Sequence, residues 1–226
     1  MSGTAVFDRP QPTSGVGRGT VVVIGVALVA AVTFVALVAL PYFTFLYSDV
    51  PGQYVDEGRF GLYWPKRGWL LLHIVGGMTA VLAGPVQLWL GLSDRRMDVH
   101  RRLGIVYIAG VVIGTVGAVA LGVQTALGWV FGAGLLSLAL AWVVTTGLAF
   151  VSIRKSLIHQ HREWMIRSYV VTFAFVTFRI GETILEGAGI GDQLQDLTFM
   201  SWACWAVPLL ITEAILQGKK IFAVAS

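Results

Sequence analysis

Arg179 and Glu182 stand three residues apart within Ser168 to Leu185, a stretch otherwise built mostly of apolar residues. Ionisable side chains are costly in hydrocarbon, so an acid and a base in such a stretch mark it as the first place to look for function. Three residues on a helix is one face, where the two charges can neutralise each other. A pair that only fixes helix packing is the plainer alternative. Ser168, Thr172, Phe175, Arg179, Glu182 and Glu186 follow one helical stripe, and its polar side is expected to point inward while Val, Ala, Phe and Ile meet lipid. A second stripe runs through His73, Gly77, Ala80, Gly84, Gln87 and Gly91 at alternating steps of four and three. It is small apart from His73 and Gln87, and small residues let helix backbones approach closely. Gly110, Gly114 and Gly117 add to the same tendency further on. Acid, base and imidazole groups held together inside a membrane suit proton movement or the binding of an anion, because burial moves their protonation towards neutral pH.

The remaining histidines, His100, His159 and His161, lie among basic residues in two short polar segments. Imidazole nitrogens beside a glycine-lined helix face are what a porphyrin requires, namely an axial ligand and room for a flat ring. One haem b held by His100 with His161 or His159 is the expectation, with Gln87 and Glu213 as further members of this polar layer. Ordinary interfacial histidines beside anionic lipid are the alternative.

These groups need elements to carry them, and the composition sets the class. Hydrophobic residues make up 56% of the 226 residues and charged residues 12%, about half the charge of a soluble domain. Mean hydropathy is +0.77. An integral membrane protein of one all-α domain follows. Six runs are long enough to cross about 30 Å of hydrocarbon at about 1.5 Å per residue. They are Val21 to Phe45, Trp69 to Leu92, Leu103 to Ala126, Val130 to Ile153, Ile166 to Leu185 and Leu197 to Leu216. The first exceeds the apolar core of a signal peptide and is read as an uncleaved anchor. Twelve of the basic residues, from Arg9 to Lys220, fall on the side of the termini, and three, Arg59, Lys66 and Arg67, on the other, with Arg179 inside. The positive-inside rule then puts both termini in the cytoplasm of a cell-membrane protein, and the net charge of +4 is an orientation signal rather than a sign of nucleic-acid binding. Residues 1–18 and 218–226 read as tails flanking a six-helix domain over 19–217, the first of them disordered. Tyr63, Trp64 and Trp69 are expected in an interfacial belt. Asp49, Asp56 and Glu57 have no calcium-loop spacing. Cys204, the single cysteine, excludes an intramolecular disulfide.

The segments from His73 to Gln87, the stretch His100-Arg-Arg-Leu-Gly-Ile-Val-Tyr107, and His161-Arg-Glu-Trp-Met-Ile-Arg-Ser-Tyr169 running on to Arg179 resemble a bacterial family of predicted membrane proteins, domain of unknown function 2306. The resemblance covers Trp69 to Glu213 and implies a multi-spanning membrane protein without supplying a reaction.

Three readings follow for the function. In the first the chain is a haem-b electron-transfer protein, with His73, Arg179 and Glu182 at a quinone or proton site and a quinone or redox protein as partner. In the second it is a small proton- or ion-coupled transporter that uses the same three residues, against which stands the lack of inverted repeats and of broken-helix signals. In the third it is a noncatalytic assembly subunit. Hydrolytic chemistry lacks its motifs, since neither Gly-x-Ser-x-Gly nor His-Glu-x-x-His occurs.

Overall fold

The computed structural model describes residues 17–40 and 64–224. The expectations for the first tail, for Asp49, Asp56 and Glu57, and for Tyr63 lie outside those residues. Among the described residues the chain is helical throughout. In order come α1 (Arg18–Phe34) with a π-helical turn (Val35–Ala39), α2 (Arg67–Ser93), α3 (Met97–Val123), α4 (Trp129–Arg154), α5 (Ile158–Thr172), α6 (Ala174–Ala188) and α7 (Gln193–Val224). α5 and α6 together make one candidate span, so that six helical segments are long and apolar enough to cross a membrane. The segment 218–224, read as tail, continues α7.

Three further features differ from the sequence reading. The fifth span starts at Ile158 rather than Ile166, and the third at Met97 rather than Leu103, so His159, His161 and His100 lie on first helical turns instead of loops. The physical reason is that a helix does not stop at the edge of the hydrocarbon. Long polar side chains on the added turns reach headgroups and water while their stems stay along the helix. The third difference is a break at Phe173 between α5 and α6, where the backbone takes φ −69° and ψ −7°. Thr172 Oγ1 donates to the Ser168 carbonyl and Thr177 Oγ1 to that of Phe173, the back-bonding that bends helices, and no Pro or Gly marks the spot in sequence.

α2 and α3 form the tightest pair. A Cβ at Gly76 would collide with the main chain of Gly114 and the carbonyl oxygen of Gly110, and one at Gly117 would sit 2.6 Å from the His73 nitrogen. The crossing therefore sets Gly76, which is off the His73 stripe, against Gly110 and Gly114, and Gly117 against the main chain of Trp69 and His73. The stripe glycines face other neighbours: Gly77 receives the Phe175 ring, Gly84 the Tyr169 ring and Gly91 the His100 ring.

The centre of the bundle is polar and closed. Tyr107 hydroxyl lies 2.8 Å from Ser168 Oγ and 2.7 Å from Thr172 Oγ1, Thr146 Oγ1 lies 2.7 Å from Ser168 Oγ, and the Trp142 indole N–H donates to Thr172 Oγ1 at 2.7 Å. All five side chains are buried. Hydroxyls both donate and accept, so the group satisfies itself without water and joins α3, α4 and α5.

Candidate functional site

The sequence candidates gather at opposite ends of the bundle. At the end away from the two basic turns, His73 of α2 and Arg179 of α6 line one cavity of about 220 Å³. Its wall is largely aromatic and aliphatic, including Phe131, Phe178, Trp142 and Phe175, with Phe34, Val38 and Ala39 of α1 along one side. The π-helical turn of α1 thus borders the cavity, and such turns recur at functional sites. The His73 ring lies 4.9 Å from Phe175, and Phe175 lies 5.5 Å from Trp142. This contact makes α2 and α6 neighbours at Phe175, about two turns along α6 from Glu182.

His73 Nδ1 lies 3.0 Å from the Gly114 carbonyl oxygen. A carbonyl only accepts, so Nδ1 carries the proton and the neutral ring keeps its lone pair on Nε2. Arg179 Nη1 donates to Glu182 Oε2 at 2.8 Å, and Glu182 is the more enclosed of the two side chains, 14% exposed against 32%. The charge that Arg179 brings to the cavity wall is therefore paired with Glu182. Lys66, the other cation on the wall, donates to the Gln124 carbonyl. Glu186, at the end of the same stripe, is exposed.

At the basic end two tight turns set the geometry. Asp94 and Arg96 adopt left-handed backbone between α2 and α3, and Ser156 does so between α4 and α5. Arg162 of α5 reaches across to Asp94 at 2.8 Å and ties the turns together. His100 and His161 are thereby brought ring to ring, with centroids 6.4 Å apart and planes at 89°. His161 Nδ1 is held by the Ala149 carbonyl at 2.8 Å, while His100 Nδ1 is buried without a hydrogen-bond partner. Gln87 packs against Gly104 next to this pair, and its Oε1 is likewise buried and unpartnered. His159 is separate from them: its side chain is 82% exposed and faces Glu163 at 3.4 Å. Glu213 also belongs elsewhere, for it pairs with Arg167, a residue the sequence reading passed over. Arg167 is buried, contacts Glu163 as well, and stacks on the Trp164 ring at 4.7 Å.

The described residues fit a haem only in part. Two imidazoles face each other, yet the glycine face that was to admit the macrocycle is filled by Phe175, Tyr169 and His100. Neither histidine lines the cavity at the far end, which begins about 27 Å away along α2 from Gly91 to His73. Among the described residues axial nitrogens are present, while the α2 glycine face is occupied by side chains.

The arrangement bears on kinship as well. The sequence profile of a family of predicted membrane proteins, domain of unknown function 2306, matches residues 70–216. The chain belongs to that family. The match begins within α2 and ends within α7, so it takes in both histidine ends, the central hydroxyl group and the Arg167 network, and leaves out α1. No curated relative and no solved structure matches the chain.

Proposed function

We propose that the cavity at His73 binds a neutral, lipid-soluble ring compound with carbonyl or hydroxyl groups, the quinone class, and that the protein acts on such molecules within the membrane. The observation that carries this reading is a half-enclosed aromatic cavity with one bare imidazole nitrogen in its wall. Size supports it, since an apolar cavity of roughly 150 Å³ in a protein interior holds benzene, and about 220 Å³ leaves room for ring substituents. Phe175, Trp142 and Phe131 offer edges and faces to a flat ring. Charge supports it too: with Arg179 balanced by Glu182, an anion gains little there, whereas a hydroquinone hydroxyl donates to His73 Nε2 and a quinone carbonyl accepts from the same ring when it is protonated. α1 is the least enclosed of the spans and borders the cavity, which gives a molecule dissolved in lipid a short lateral way in.

A carrier is the competing reading, and the break at Phe173 favours it because interrupted helices line many transport sites. The Gly76 crossing and the closed hydroxyl group between the cavity and the basic end oppose it.

Equilibrium binding of a short-chain quinone to the protein in lipid nanodiscs tests the proposal. Ala118→Phe, which puts a ring into the cavity, abolishes saturable binding. His73→Leu weakens it by about five- to tenfold, the effect of one buried hydrogen bond. Binding of both variants at the wild-type level would sink the proposal.

We also propose that both termini face the cytoplasm, on the strength of the twelve-to-three division of basic residues. A reporter active only outside the cytoplasm stays silent when fused after Ser226. Strong activity there reverses the assignment.

A further inference from the structure

We infer that His100 and His161 hold one copper(I) ion between them at the basic end of the bundle, a site separate from the His73 cavity and independent of the quinone proposal. Each ring presents one nitrogen that the protein leaves bare. His161 Nδ1 donates its proton to the Ala149 carbonyl, the outer-shell contact by which proteins orient a metal-binding imidazole, and this leaves the lone pair on Nε2. His100 Nδ1 is buried and has no hydrogen-bond partner, which is rare for a polar atom and leaves it open to a bound ion or water. The unpartnered Gln87 Oε1 lies in the same layer.

The separation of the rings selects the coordination. With metal–nitrogen bonds of about 2 Å, two imidazoles on opposite sides of one ion have centroids about 6 Å apart, whereas two corners of a tetrahedron bring them to about 5 Å. The observed 6.4 Å fits the first arrangement. The perpendicular planes are compatible with it, since each ring is free to rotate about its own metal–nitrogen bond. Among the described residues no group of three or more His, Cys, Asp or Glu side chains is placed to hold a metal, which disfavours zinc with its four ligands. Copper suits imidazole, and copper(I), a closed-shell ion, is satisfied by two donors in line. Its single charge also suits a ring pair that feels Arg101 as well as Asp94, since a divalent ion would meet stronger repulsion from the guanidinium. A haem would use the same two nitrogens but needs a seat that the side chains on the α2 glycines fill.

The test is anaerobic titration of the detergent-purified full chain with copper(I) against a chromogenic chelator, followed by X-ray absorption. The wild type takes up about one copper per chain, with a shell of two imidazole nitrogens at about 2 Å. His100→Ala and His161→Ala each reduce uptake at least about tenfold, while His159→Ala and His73→Leu leave it unchanged. Thermal unfolding of each variant separates lost ligands from lost folding, and the wild-type absorption spectrum stands without any variant. Copper that does not compete with the chelator, a shell without imidazole, or retention of copper by the folded His100→Ala protein overturns the inference. A Soret band in the purified protein that disappears with His100→Ala also overturns it, in favour of a macrocycle.

Discussion

Gly76→Leu prevents the bundle from closing, and even Gly76→Ala costs more than about 3 kcal/mol of stability. A Cβ at this position meets the nitrogen and Cα of Gly114 and the carbonyl oxygen of Gly110, which are main-chain atoms of a facing helix and cannot rotate away. Overpacking commonly costs about 1–3 kcal/mol when side chains can adjust, and here none is available to do so. α2 and α3 must separate along their length, which also pulls His73 from the Gly114 carbonyl. Gly147 is the control, being a helical glycine with open space around it, where alanine is tolerated or slightly stabilising. Thermal unfolding in one detergent compares the two. Equal midpoints for Gly76→Ala and Gly147→Ala would mean that the close crossing does not hold the fold.

Arg167→Met is the second large effect, with a loss of about 2–3 kcal/mol. The guanidinium is 7% exposed and bonds Glu213 through two nitrogens, at 2.6 and 2.7 Å, while a third approaches Glu163 at 3.4 Å. Removing one partner of a buried pair costs about 3–5 kcal/mol because the other charge is left uncompensated. The smaller value is expected because Glu213 is 41% exposed and Lys220 also contacts Glu163. Adding Glu213→Gln to Arg167→Met recovers part of the loss, since it removes the orphaned charge. Arg167→Lys remains destabilising, because an ammonium cannot reproduce the forked contact. Losses that add without recovery would show that the two residues do not act as a pair.

Hydropathy and basic-residue placement reveal the six spans because those signals accumulate over twenty or so residues and need no knowledge of partners. The rise per residue fixes depth along a helix, and His73 and Arg179 do line one cavity, but Glu182, which that depth count set level with His73, is not on its wall. Rotation about the helix axis is not legible in the same way. The His73 stripe collects Gly77, Gly84 and Gly91, yet the backbone crossing uses Gly76, because the facing helix decides which side is inward. Tyr107, Trp142 and Thr146 are hidden among residue types that serve equally well against lipid, and only their mutual hydrogen bonds set them apart. Arg167 sits in a basic, juxtamembrane stretch where charge is ordinary, so its burial could not be foreseen from spacing. The break at Phe173 arises from threonine back-bonding, which carries no Pro or Gly marker.

The central claim is that a quinone-class ring occupies the cavity beside His73. Photoaffinity labelling with an azido-substituted quinone in nanodiscs, mapped by peptide mass spectrometry, tests it most directly. The account predicts labels on the α2 and α6 segments that carry His73 and Phe175, removed by excess unlabelled quinone and absent from Ala118→Phe. Labels spread over lipid-facing positions such as Val22 and Ile105, undiminished by competitor, would contradict it.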